Sequence, residues 1–117
     1  MHIRISWHNG ETVGKLDDTP TARKLFTTLA YAATANTWGD EVYFSVPVRS
    51  DLERDAEQVV ATGTICFWVK GQSLAIPFGP TPASRSDKCR LVIRVNPVGK
   101  LEGDARVLEP VCAGDAI

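Results

Sequence analysis

The sequence predicts a mainly β domain, closed into a barrel of about eight mostly antiparallel strands, with one main helix and one short helix. Three observations predict it. Apolar and polar residues alternate in short runs along most of the chain. Gly, Pro and Asn-Gly turn signals separate these runs at close intervals. At 117 residues, the chain has no room for the crossover helices that a parallel sheet needs. An open sheet of this many strands would leave unpaired edges, so closure is the expectation.

The first element is a hairpin. "IRISWHNGETVGKL" reads as two strands joined at Asn9-Gly10, the strongest short hairpin signal. Ile3, Ile5 and Trp7 take one face, and His2, Arg4, Ser6 and His8 the other. The period then changes. In "DDTPTARKLFTTLA", Asp18 or Thr19 can cap a helix and Pro20 suits its first turn. Ala22, Leu25, Phe26 and Leu29 fall on one apolar stripe. A helix from Pro20 to Leu29 is therefore expected, its stripe plugging one mouth of the barrel.

A loop, "YAATANTWG", leads into "DEVYFSVPVR", where Val42, Phe44, Val46 and Val48 share one face. Pro47 cannot donate to a ladder, which places that end at an edge or bulge. "SDLERDAEQVVATG" is charged and irregular, with room for a helical turn. "TICFWVK" is a strand with apolar residues on both faces, and Gly71 turns it into "SLAIPFG". That strand breaks on Gly79, Pro80 and Pro82, followed by Thr81, Ser84, Arg85 and Ser86. "CRLVIRVNPVGKL" points Leu91, Ile93 and Val95 inward and Arg90 and Arg94 outward. A short helical turn around Val107 to Val111 precedes the final residues.

Composition narrows the function. The chain is 44% hydrophobic and 23% charged, ordinary for one globular domain spanning residues 1–117. Thirteen basic residues against fourteen acidic ones leave a net charge of −1. That balance offers no attraction to nucleic acid or to an anionic membrane. No segment approaches the roughly 20 apolar residues of a membrane span, and the charged start, "MHIRISWHNG", contains no apolar run of the length expected in a signal peptide. Cys66, Cys89 and Cys112 are widely spaced and form no C-x-x-C pair. They read as free thiols in a reducing cytoplasm. His2 and His8 are the only histidines, so neither a metal site nor a Ser/His/Asp arrangement is expected, and no cofactor motif appears.

Two stretches carry a family resemblance. "ANTWGDEVYFSVPV" and "PFGPTPAS" together resemble a small prokaryotic cyclophilin-like family of unknown function, and the likeness covers nearly the whole chain. A fainter likeness runs to the cyclophilins themselves, the peptidyl-prolyl isomerases, whose proline groove is lined by a strand ending in a Gly-Pro-x-Thr corner. "LAIPFGPT" looks like that element. The resemblance implies an eight-stranded barrel closed by helices, with "FGPTPASR" as one wall of a groove. It also marks a departure. Isomerase chemistry uses an arginine directed at the prolyl amide, and the matching stretch here carries Asp40 and Glu41 instead.

The candidate binding residues are Trp38, Glu41, Tyr43, Phe78, Thr81 and Arg85; no catalytic residue is expected. Each has a plainer reading. Asp40 and Glu41 fit a solvated turn as well as a site mouth. Phe78 fits an inward strand position, Thr81 can satisfy its own turn, and Arg85 can pair with Asp87 or Glu41 on the surface. Tyr43 and Trp68 lie on faces opposite to their apolar neighbours, where an aromatic covers a groove or is shielded by a loop. Three functions remain open. The first is a non-catalytic module for a small ligand or peptide. The second is a divergent isomerase with Arg85 or Arg49 in place of the missing arginine. The third is an interaction subunit, pairing for instance as a homodimer through an exposed strand or Trp68.

Overall fold

The computed structural model describes residues 1–30, 32–79 and 89–117, apart from the side chain of Val92. Its strands are β1 (His2–Trp7), β2 (Gly10–Leu16), β3 (Asn36–Thr37), β4 (Glu41–Ser45), β5 (Glu57–Val60), β6 (Thr64–Trp68), β7 (Ser73–Pro77) and β8 (Cys89–Leu101). One α-helix, α1 (Pro20–Thr28), and one 3₁₀ turn (Ala105–Leu108) complete the elements among the described residues. All the strand pairings are antiparallel.

The sheet is a curled half-barrel, open rather than closed. Its strands run in the order β1-β2-β8-β6-β7-β4-β3, with β5 paired to β8 off this path. This corrects the expected closed barrel. Closure would require a ladder between β1 and the β3/β4 edge, and β3 supplies only two residues. The C-terminal residues occupy that side instead. Ala33 and Ile117 exchange backbone hydrogen bonds of 2.9 and 3.0 Å, and the Ala35 N–H donates to the Asp115 carbonyl at 2.7 Å. Apolar side chains face one another across the gap: Ile3 and Ile5 of β1 line a small cavity with Leu25, Leu29, Phe44, Leu74 and Ile117.

The first hairpin forms with a shift from the expected turn. Trp7 pairs with Gly10, so His8 and Asn9 make the loop and Gly10 already belongs to β2. Helix α1 is capped by Thr19, whose side chain accepts from the Ala22 N–H at 3.1 Å. Its apolar stripe is narrower than expected. Thr21, Ala22 and Leu25 are buried, whereas Phe26 and Leu29 are 37% and 41% exposed. Thr21 takes their place in fastening the helix. Its hydroxyl donates to the Glu53 carboxylate at 2.5 Å and accepts from the fully buried Asn96 amide at 3.1 Å. With its single proton so used, it accepts from the Ser50 hydroxyl at 2.7 Å. Asn96 also donates to the Asp51 carbonyl and accepts from the Glu53 N–H, at 2.8 and 2.7 Å. One amide thus ties helix, loop and β8 together.

The sheet buries apolar residues on both faces. The concave face holds the larger core, including Ile5, Leu25, Phe44, Ile65, Phe67, Ile76 and Leu108. A second cluster lies on the opposite face: Val60, Cys66, Ala75, Cys89, Leu91 and Val95, with Tyr43 and Trp68 against it. This explains why "TICFWVK" is apolar throughout. Ile65 and Phe67 enter the first core while Cys66 and Trp68 enter the second. The roof of the second cluster is the first half of β8, which leaves the main sheet to pair with β5 at Cys89, Arg90 and Val95. Its second half returns to pair with β6 and β2. The change occurs near Pro97, where the β6 register shifts between Ile65 and Cys66; a residue without an N–H fits such an irregularity.

Candidate functional site

The second cluster surrounds a pocket. It has a volume of about 170 Å³ and is lined by Trp38, Glu41, Tyr43, Trp68, Ala75, Leu91, Ile93 and Val95. A tight hairpin delivers three of these. The Trp38 N–H donates to the Glu41 carbonyl at 3.0 Å, closing a two-residue loop of Gly39 and Asp40. Gly39 has φ of 59°, and a loop whose first residue must be left-handed selects glycine. Residues opposed across an antiparallel pair share a face, which sets Trp38 beside Glu41. Tyr43 is two residues further along β4 and returns to the same face. It pairs with Ala75 of β7, which pairs in turn with Cys66 of β6. Trp68 is two residues beyond Cys66. Its ring meets Tyr43 edge-on, centroids 6.4 Å apart and planes at 81°, a favoured aromatic geometry.

Glu41 is the unusual member. It is only 5% exposed, and among the described residues no side chain or backbone group pairs with its carboxylate. Desolvation of the charged form pushes its pKa up to about 7. The neighbouring Asp40 differs. Its carboxylate meets the Arg106 guanidinium at 3.2 Å near the surface. The solvated-turn reading therefore suits Asp40 and not Glu41. Burial also raises the pKa of the Cys66 thiol, with a smaller contribution from Glu41, and that of Cys89 for the same leading reason. Both thiols are held in their protonated form. One of the lining residues carries a second unmet polar group. The Trp68 indole N–H is buried with no acceptor among the described residues, and such groups in native structures call for an explanation.

The six sequence-derived candidates divide three ways. Trp38, Glu41 and Tyr43 come together in the pocket. Phe78 is buried in the concave core, and the Arg106 guanidinium lies 5.5 Å from its ring centroid. Thr81 and Arg85 lie outside the described residues. The pocket also recruits residues not among those candidates: Trp68, Ala75, Leu91, Ile93 and Val95. The signal for Trp68 was its face, opposite to Phe67. Nothing in the local pattern pointed to β8, because its role depends on its folding over the sheet. Ile93, expected inward, is 41% exposed at the pocket. Cys66, Cys89 and Cys112 are unpaired, the first two buried and the third exposed. Among the described residues, no group of three or more His, Cys, Asp or Glu is placed to hold a metal ion, and no helix is long and apolar enough to cross a membrane.

Comparison with known proteins agrees with this architecture. A family model described as cyclophilin-like matches residues 1–117. A hypothetical protein from Archaeoglobus fulgidus, whose structure was determined in solution, is 32% identical; the match covers 99% of this chain and 90% of that one, with a TM-score of 0.83. No curated protein matches. With its curled antiparallel sheet, the helix α1 and a full-length match, the chain belongs to the cyclophilin-like family.

Proposed function

We propose that this protein is a binding module rather than an isomerase, and that its pocket between β4, β6, β7 and β8 receives a small molecule or a single side chain of a peptide. The observation that carries this reading is Glu41, buried and without a partner among the described residues, set among Trp38, Tyr43 and Trp68. Folding alone has no use for such a group. An apolar residue of the same size would avoid the cost of desolvating a carboxylate, which is several kcal/mol in typical proteins. A concave, mostly apolar pocket with a few convergent polar groups is the usual form of a ligand site.

The chemistry of the lining argues against prolyl isomerisation. Rotation about an X-Pro bond faces a barrier of about 18–20 kcal/mol, and a cation directed at the amide lowers it. Among the described residues that line the pocket none is cationic, and Glu41 offers the opposite charge. Absence of one preorganised electrostatic donor costs about a hundredfold to a thousandfold in rate. The expected result is no measurable acceleration of proline-limited refolding at micromolar protein. Acceleration that disappears in Arg85→Ala or Arg49→Ala would refute this reading in favour of a divergent isomerase.

Binding is tested with a fragment library, following backbone amide shifts of the isotope-labelled protein. Ligands should move the amides of residues 38–43 and 91–95 together. Ala75→Phe, which fills the pocket, should abolish those shifts while the remaining spectrum stays dispersed. Binders that act only elsewhere, or none from a broad library, would overturn the proposal.

A further inference from the structure

The pocket's chemistry goes further than its shape, on the reading that it is a ligand site. We infer that it selects a small ammonium group, seated against the rings of Trp38, Tyr43 and Trp68 with Glu41 as its counter-ion. Three observations converge on this class. The first is charge. Glu41 is buried and unpaired among the described residues, while the adjacent Asp40 already has Arg106 at 3.2 Å. A cationic ligand supplies the opposite charge that Glu41 lacks. A neutral ligand leaves a carboxylate in an apolar surround uncompensated.

The second is the aromatic wall. Two tryptophans and a tyrosine line one pocket, and Tyr43 and Trp68 stand nearly perpendicular. Rings so crossed present surfaces in different directions to an occupant. The negative faces of indole and phenol attract cations, tryptophan most strongly, and groups of aromatic rings are the known means of holding quaternary ammonium ions. The remaining lining, Ala75, Leu91, Ile93 and Val95, is aliphatic. It suits the alkyl substituents of such a cation better than the hydration shell of a metal ion.

The third is size. The pocket measures about 170 Å³, and apolar cavities of about 150 Å³ take up molecules as large as benzene. A methylated or alkyl ammonium head is of that scale. A nucleotide or an extended peptide is not, although a peptide can present such a head on one side chain.

The test compares a cation with its carbon isostere. Choline chloride and 3,3-dimethyl-1-butanol have nearly the same shape and differ in charge. Each is titrated into the full-length protein at pH 8 and constant ionic strength, following the amides of residues 38–43 and 91–95. Choline should bind at least tenfold more tightly, the range expected when a cation meets desolvated aromatic faces and a carboxylate. Glu41→Gln should reduce that preference at least fivefold and leave the affinity for the alcohol within twofold, which also shows that the pocket is intact. Trp38→Leu should weaken choline more than the alcohol. Nε-trimethyl-lysine with acetylated α-amino and amidated carboxyl groups, compared with choline, distinguishes a side-chain source of the ammonium from a free small molecule. Equal affinity for choline and the alcohol would overturn the inference and leave the binding module standing. So would binding of neutral fragments alone. A pocket that binds nothing from any chemical class would remove both.

Discussion

Replacing Glu41 by Gln keeps nearly the same volume in the pocket and removes its carboxyl. In the folded chain that carboxyl titrates near 7, against an ordinary value of 4.5. Between those two pH values the folded chain retains a proton that the unfolded chain has lost. Glu41 is therefore neutral in its effect below about pH 4, costs stability progressively as pH rises towards 7, and exacts the full cost above it. A tenfold change in proton affinity corresponds to about 1.4 kcal/mol, so the full cost has an upper bound of about 3 kcal/mol. Water entering the pocket mouth lowers this figure. Glu41→Gln should consequently match the parent at pH 4 and exceed it at pH 8 by 1 to about 3 kcal/mol. For a domain of this size, that is a rise in Tm of roughly 5–15 °C. The assay is urea unfolding at pH 4, 6 and 8, followed by tryptophan fluorescence, with the parent measured beside the variant so that other carboxyls cancel. A variant that is less stable at pH 8, or a difference that does not change with pH, would refute the claim that Glu41 is buried and lacks a partner among the described residues.

Other perturbations follow from the same structure. Asn96→Ala removes three hydrogen bonds of a buried amide, one buried and two partly buried, that join α1, the 50–53 loop and β8; it should cost about 2–4 kcal/mol in denaturant unfolding, and a loss below 1 kcal/mol would show that the network is dispensable. Gly99→Ala places a methyl group against the backbone carbonyl of Lys15 in the paired strand, where neither strand can yield without disturbing the ladder. It should destabilise by about 1–3 kcal/mol, and a neutral result would mean that β2 and β8 are further apart. The exposed Cys112 should react with a thiol reagent at once. Cys66 and Cys89, buried and with pKa values raised chiefly by desolvation, should react only as fast as the protein opens. Three equally fast thiols would contradict that burial.

Much of the fold was legible because it is local. Thr19 and Pro20 mark the start of α1 through capping and a preset φ. Alternation along β1 and β4 assigns Ile3, Ile5, Val42 and Phe44 to the core by the two-residue period of a strand. The local pattern of "TICFWVK" was also correct, but its meaning was not local. A strand apolar on both faces implies two covers, and the identity of the second cover depends on β8 leaving the sheet to join β5.

The candidate site divides along the same line. Trp38, Glu41 and Tyr43 could be selected together because one hairpin carries all three, and register alone puts them on one face. Whether that face was a solvated edge or a pocket wall was beyond the reach of the sequence, since a Glu following a Gly-Asp turn looks the same in either case. Burial by Leu91, Ile93 and Val95, some 50 residues away, decided it. The same limit applies to the barrel. Antiparallel pairing follows from short alternating runs and tight turns, and this the sequence by itself determined; β3 and β5 it did not, because two strand residues within "YAATANTWG" and four within the charged "SDLERDAEQVVATG" are too few to show a period. Closure is a global property, set by which segments meet at the seam. There the C-terminal residues pair beside β3, and Leu25 and Ile117 line the gap before β1. Only the tertiary structure could decide it, because hydrogen bonds and apolar contacts compete for that seam, and their balance depends on residues far apart in the chain.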